Sequence, residues 1–270
     1  MVVIGEKGTM NHIYSEIDDV IEYIQKNIDD PLSLSHLADY ARYSPYHFSR
    51  IFKQRTGLSP HHYVSSLKLQ RAKDLLLNTD LTVRDIGMEI GQQSLGTFTT
   101  RFTERVGMAP SQFRKSPLHV NKYMKSLKTQ THLSRHSNSI IAPHFNRVEG
   151  TVEAEMPFHG IILVGLFTQP IPAGLPQYGT ILTSLGDFTF INVRPSTYYL
   201  MATAITWEMR SNEILVPNQT LRAKADTPIT VNSKIEIPKQ NLSLRGPHLD
   251  DPPILVSLPL LMKNFLNRKH

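Results

Sequence analysis

Six side chains in one short window are suited to touching a nucleic acid: Tyr46, His47, Ser49, Arg50, Lys53 and Gln54, within S P Y H F S R I F K Q R T G L from Ser44 to Leu58. A guanidinium such as Arg50 can bond guanine O6 and N7 together, which is worth roughly 1–3 kcal/mol of base discrimination. Lys53 is better placed for phosphate, and so positions rather than specifies. The plainer alternative is that each of these side chains only faces solvent.

The spacing requires a helix to position them. Phe48, Ile51 and Phe52 fall at i, i+3 and i+4 and make an apolar face, which leaves Tyr46, Ser49, Arg50 and Lys53 on the other side. Ser44 can cap the start, Pro45 suits the first turn, and Gly57 stands where a terminating glycine belongs. Upstream, Leu34, Leu37, Ala38 and Ala41 predict a second short amphipathic helix, joined through Arg42, Tyr43 and Ser44. Two short helices and a tight turn, the second with a polar face, make a helix-turn-helix layout.

The pattern recurs. Asp80, Leu81 and Thr82 cap a helix over Val83 to Ile90, Gly91 begins a turn, and Ser94 to Val106 is a further helix closed by Gly107. F S R I F K Q R T G L S P aligns with F T T R F T E R V G M A P, an internal duplication with the same phenylalanine pair and the same Gly-x-x-Pro exit. The second copy offers Leu95, Gly96, Thr97, Thr100 and Arg101. Its threonines favour methyl or water-mediated readout, and Arg101 favours phosphate. Between the copies, Ser59 and Pro60 open a long helix to Asn78. Its buried side holds Tyr63, Val64, Leu67, Leu69, Ala72, Leu75 and Leu76, and Lys68, Arg71 and Lys73 are expected to be exposed. Before the first copy, Asn11 to Ile28 reads as an amphipathic helix with Ile13, Ile17, Val20, Ile21 and Ile24 inward and an acidic outer face. Two recognition helices on one chain could enter successive major grooves about 34 Å apart.

From Asn11 to Lys115 the chain resembles the DNA-binding domain of the AraC/XylS family of bacterial transcription regulators. The resemblance rests on Asp85, Ile86, Gly91, Ser94, Phe98, Phe102, Gly107, Pro110, Phe113 and Arg114. It implies that Tyr46, Ser49 and Arg50 approach base edges, with Gly96, Thr97 and Thr100 as the corresponding positions of the second helix. Two positions depart from the family pattern, which often has Arg where Thr100 stands and an aromatic where Gln92 stands.

The 270 residues carry a formal net charge of +6, which favours a polyanionic partner, and no cysteine, which removes disulfides, thiolate zinc sites and thiol catalysis. His47, His61 and His62 read as packed or solvated rather than metal-ligating. No catalytic residue, metal or cofactor is expected. No long apolar run or leader pattern is present, so a cytoplasmic protein without membrane contact is expected.

Residues 117–146 hold Lys122, Lys125, Lys128 and Arg135 without an acid, and read as a basic linker with a short helix around Val120 to Leu127. After Arg147 the composition turns to strand formers: Val148–Val152, Gly160–Phe167, Thr180–Leu185, Phe188–Val193, Tyr198–Thr206 and one or two strands in Thr227–Ile237. Gly186 to Ala202 resembles the hairpin of transthyretin-like carboxypeptidase regulatory domains, with Phe188 and Phe190 inward and a turn at Pro195–Ser196. Pro253–Lys269 suits a last strand or short helix. The expected fold is two-domain α + β: an all-α double helix-turn-helix of seven helices over 10–116, the linker, and an all-β antiparallel sandwich over 147–270.

Tyr178, Tyr198, Tyr199 and Trp207 could line a sugar or aromatic pocket or belong to the core, and the loop with Pro170, Pro172, Gly174, Pro176 and Gly179 could be an effector lid. The expected function is a sequence-specific regulator of transcription that binds double-stranded DNA. Its β-domain would sense a small-molecule effector, form a homodimer or contact RNA polymerase. The competing reading is a DNA-localised enzyme or carbohydrate-binding protein whose activity lies in the C-terminal domain. Thiol-acceptor alkyl transfer lacks its residue, and Asp187, Glu208, Glu213, Asp226 and Glu236 form no glycosidase-like pair.

Overall fold

Sequence punctuation sets the helix ends. The computed structural model describes residues 4–131, 146–232 and 235–268. Its first part runs α1 (Ile4–Lys26), α2 (Leu34–Tyr40), α3 (Pro45–Thr56), α4 (Pro60–Asn78), α5 (Val83–Glu89), α6 (Leu95–Val106), α7 (Pro110–Arg114) and α8 (Pro117–Thr131). Ser33, Ser44, Ser59, Thr82 and Ser94 each accept a hydrogen bond from the backbone N–H three residues on, which satisfies a donor the helix start leaves open. Gly57 and Gly107 close α3 and α6 at φ 79° and 91°, where a side chain would be strained.

The phenylalanine pairs are the centres of the two copies. Phe48 and Phe52 lie 5.5 Å apart, and Tyr63 of α4 stands edge-on to Phe52 at 5.4 Å. Phe98, Phe102 and Phe113 repeat the arrangement at 5.7 Å for each step. Ile17, Val20, Ile21 and Ile24 of α1 are fully buried, as their spacing predicts; the side chains of Asn11 and Ile13 lie outside the described residues.

The C-terminal part contains β1 (Val148–Ala154), β2 (Gly160–Phe167), β3 (Tyr178–Leu182), β4 (Gly186–Phe190), β5 (Ser196–Thr206), α9 (Ser211–Leu215), β6 (Arg222–Lys224), β7 (Ile229–Val231), β8 (Gln240–Leu244) and α10 (Leu258–Asn267). A sheet ordered β4-β1-β8 faces a sheet ordered β3-β2-β5-β6, with β7 also on β5. Val148, Val152, Phe188, Phe190, Leu242 and Leu244 meet Ile162, Val164, Leu166, Leu200, Ala202 and Ala204 between them. The other face of the larger sheet, with Ile161, Leu163, Phe167, Met201 and Ile205, joins the helical core. The molecule is therefore layered as helices, larger sheet and smaller sheet. β2 is buried along its whole length because both of its faces are covered.

The two-part α + β plan holds, with four corrections. The sandwich is not wholly antiparallel, because β1 pairs parallel with β8, Gly150 opposite Gln240. It is also not all-β, since α9 lies within it and α10, the helical alternative for the last stretch, covers Leu258–Asn267. The seven helices expected over 10–116 are α1 to α7 among the described residues, but the linker is not a free tether. The eighth, α8, occupies the start of the expected linker and buries Val120, Met124 and Leu127. Residues 132–145 of that linker lie outside the described residues. Lys73, expected in solvent, is fully buried because the segment around Ile254 covers that side of α4.

Candidate nucleic-acid interface

Burial of Phe48, Ile51 and Phe52 turns the opposite side of α3 outward. Tyr46 is 82% exposed, and Arg50, Lys53 and Gln54 are exposed beside it. His47 and Ser49 are half-buried, and the His47 ring packs 5.0 Å from Tyr43. His47 Nδ1 lies 3.4 Å from Arg50 Nη2, so the guanidinium rests along the helix without a carboxylate partner in that contact. Arg55, one turn further on, is committed elsewhere: it bonds both Asp18 oxygens at 2.9 and 3.0 Å and pairs with Asp250 at 3.1 Å. Its charge serves the fold rather than a polyanion.

On α6, Leu95, Gly96, Thr97 and Thr100 are exposed, and no atom lies within 4 Å of where a Cβ on Gly96 would stand. The Ser94 hydroxyl donates to Thr97 Oγ1 at 2.8 Å. Arg101 aligns with Ile51 of the first copy rather than with Arg50. It is half-buried and donates to Gln92 Oε1 at 3.2 Å.

Arg101 turns towards a cleft between the copies. Along α4, His61, Ser65 and Lys68 recur at i, i+4 and i+7, with Leu34 and Leu37 on one bank and Gln92 and Arg101 on the other. The cleft continues past His62, Glu104 and Arg105. Burial first, and the Arg105 guanidinium second, hold the His62 imidazole below its ordinary pKa. The sequence reading passed over this basic cleft, although the 61/65/68 spacing on one helix face was available as a signal. No group of three or more metal-capable side chains occurs among the described residues.

Helices α3 and α6 both end on one loop of the C-terminal part. A methyl on Gly57 would lie 3.4 Å from Pro170 Cβ, and one on Gly174 would lie 2.9 Å from the Glu104 carbonyl oxygen. Gly174 N–H donates to Arg105 O at 2.6 Å, Arg105 Nη1 donates to Gln169 Oε1 at 2.6 Å, and Ser257 N–H donates to Val106 O at 2.9 Å. Pro170 and Gly174 are separated by at most about 14 Å of chain. The C-termini of α3 and α6 therefore share a compact platform, and their N-terminal turns, with the exposed candidate residues, lie away from those contacts.

The aromatic residues singled out in the β-region do not gather into a pocket. Tyr198 is buried and donates to Arg194 O, and Tyr178 accepts from the Arg194 N–H. Tyr199 and Trp207 pack against the helical core, where Lys128 Nζ sits 5.7 Å from the Trp207 ring centre. No described helix is long and apolar enough to cross a membrane.

Comparison with known proteins bears on the helical part. A family model described as a helix-turn-helix domain matches residues 37–116. Over 99 residues the chain is 34% identical to the bifunctional transcriptional activator/DNA repair enzyme AdaA of Bacillus subtilis, which covers 37% of this chain and 47% of AdaA. Over 106 residues it is 33% identical to YobQ, an uncharacterized HTH-type transcriptional regulator of the same organism, covering 39% and 42%. The chain thus spans less than half the length of these curated relatives. Among solved structures, an AraC-type transcriptional regulator from Chromobacterium violaceum is similar at 28% identity and a TM-score of 0.37, over 38% of this chain and 91% of that one.

Proposed function

We propose that this chain, whose residues 37–116 match a helix-turn-helix domain, is a cytoplasmic, sequence-specific regulator of transcription of the AraC type that places α3 and α6 in successive major-groove segments of double-stranded DNA. The supporting observation is that both helices offer an exposed flank at their N-terminal turns while their C-terminal ends are seated on one loop. In this reading Arg50 contacts a guanine edge, and Tyr46, His47, Ser49 and Gln54 flank it. Lys53 holds a backbone phosphate, Leu95, Gly96, Thr97 and Thr100 form the weaker second reader, and Arg101 with Lys68 faces the backbone between the two grooves. The C-terminal part, held against the helices, supplies ligand sensing, self-association or a polymerase contact.

The test begins by selecting a duplex from a random library with the full chain, then measuring affinity for the selected and a scrambled duplex at two salt concentrations. Arg50→Ala is expected to lose about 1–3 kcal/mol on the selected duplex and little on the scrambled one. Lys53→Ala is expected to weaken both alike and reduce the salt slope by about one. Equal losses on both duplexes for Arg50→Ala would remove it as a base reader, and failure to enrich any duplex would overturn the regulator reading.

A further inference from the structure

A cavity of about 100 Å³ lies between the outer face of the β2-β3-β5 sheet and α10, under the loop that supports the recognition helices. A single water needs roughly 10–15 Å³ by this measure, so the space suits a small organic molecule. The walls are mainly apolar: Leu163, Phe167 and Ile181 from the sheet, Leu258, Leu261 and Phe265 from the α10 side. Thr180, Thr203 and Asn264 add hydroxyl and amide groups, and among the described residues Arg268 is the one charged side chain in the lining, with no carboxylate. Arg268 stands exposed at the rim and makes one bond there, from Nη1 to Gly179 O at 3.2 Å. Apolar walls with a few polar groups and one cation at the mouth are the make-up of a site for a compact hydrophobic molecule with an anionic end.

The lid of this cavity also forms the platform under α6. Pro172, Leu175 and Pro176 line it from above. On its far side Leu175 approaches the closing glycine of α6, since a methyl on Gly107 would sit 3.5 Å from Leu175 Cδ2 and 2.9 Å from Leu260 Cδ2. Val256 and Leu258 line the cavity, and Ser257 between them bonds the last carbonyl of α6. Pro172 O also accepts from the N–H groups of Leu255 and Val256, which joins the two lid strands.

We propose that this cavity binds a small, mainly apolar molecule bearing one carboxylate or similar anion, held at Arg268, and that the 172–176 and 256–258 segments carry its occupancy to the C-terminal end of α6. The regulatory meaning rests on the preceding reading, but binding and transmission are properties of the chain alone. The test titrates full-length protein with cyclohexanecarboxylate and, separately, with neutral cyclohexylmethanol, and follows leucine, isoleucine and valine methyl resonances. Saturable shifts at Leu163, Leu175, Ile181 and Leu261, with accompanying shifts at Val106 and Leu260, are expected. Arg268→Gln should weaken the carboxylate at least fivefold and leave the alcohol unchanged. Leu261→Trp, or Thr180→Leu should the tryptophan variant not fold, should weaken both at least tenfold. Shifts that do not saturate, or that persist when the cavity is filled, would overturn the site, and saturation without movement at Val106 and Leu260 would overturn the transmission. No DNA enters the experiment, so a failed duplex selection and a failed titration are distinguishable.

Discussion

Lys73 is an ammonium placed where no ammonium is comfortable. It is fully buried, and its Nζ donates to Ile254 O at 3.0 Å and Leu255 O at 3.3 Å, 5.6 Å from the Phe113 ring centre. Burial drives its pKa down to about 7, since two carbonyl dipoles and a ring face replace only part of the lost hydration. Between pH 7 and the ordinary lysine value the unfolded chain therefore holds a proton that the native chain has released. Stability should rise with pH through that window and level off below it, where both states are protonated. Lys73→Met removes the titrating group, so wild type should gain on the variant by a few kcal/mol between pH 7 and pH 9.5 in urea denaturation. Parallel pH profiles would show that the buried amine stays charged. The sequence could not reveal this burial, because Lys73 falls in a run of charged residues on α4 and its cover, around Ile254, arrives at the far end of the chain.

Helices α3 and α6 end on a shared platform, which makes their closing residues matter twice. Gly57 and Gly107 both hold left-handed backbone, so alanine at either should cost about 1 kcal/mol in strain. At Gly57 the new methyl would meet Pro170 at an ordinary 3.4 Å, whereas at Gly107 it would press on Leu260 at 2.9 Å. Thermal denaturation should therefore rank Gly107→Ala as the more destabilising, and an equal or reversed ranking would argue that α10 yields freely. These helices were legible in the sequence because everything that defines them is local: a serine cap, an i, i+3, i+4 apolar set and a closing glycine. The strands β2 and β5 were legible for the same reason. The β1–β8 pair was not, because alternation reports which face a strand buries but not the direction of a partner some ninety residues away. Within the site, exposure of Tyr46, Arg50, Lys53 and Thr100 follows from helix periodicity. Arg101 required the cleft, since its place in the register is that of buried Ile51.

At the scale of the whole molecule, the apolar core does not respect the boundary that composition suggests. Buried residues from α1 through α8 form one continuous cluster with Ile161, Leu163, Ile171, Met201, Ile205, Ile254, Leu258 and Met262. The lack of acidic residues after Pro117 suggested a tether, yet Val120, Met124 and Leu127 at i, i+4 and i+7 bury an apolar stripe beside α9 and α10. Domains joined by a tether melt separately, whereas parts that share a core lose it together. Differential scanning calorimetry of the full chain should give one transition with calorimetric and van't Hoff enthalpies in agreement. Ile171→Ala tests the seam directly: this residue is fully buried in the loop beneath α3 and α6, and its loss should cost about 2–5 kcal/mol. If the parts are one cooperative unit, circular dichroism at helix and strand wavelengths will shift to lower temperature in step for this variant. If only the strand signal moves, the helices keep a core of their own, and strain in the platform could not reach α6 through shared packing.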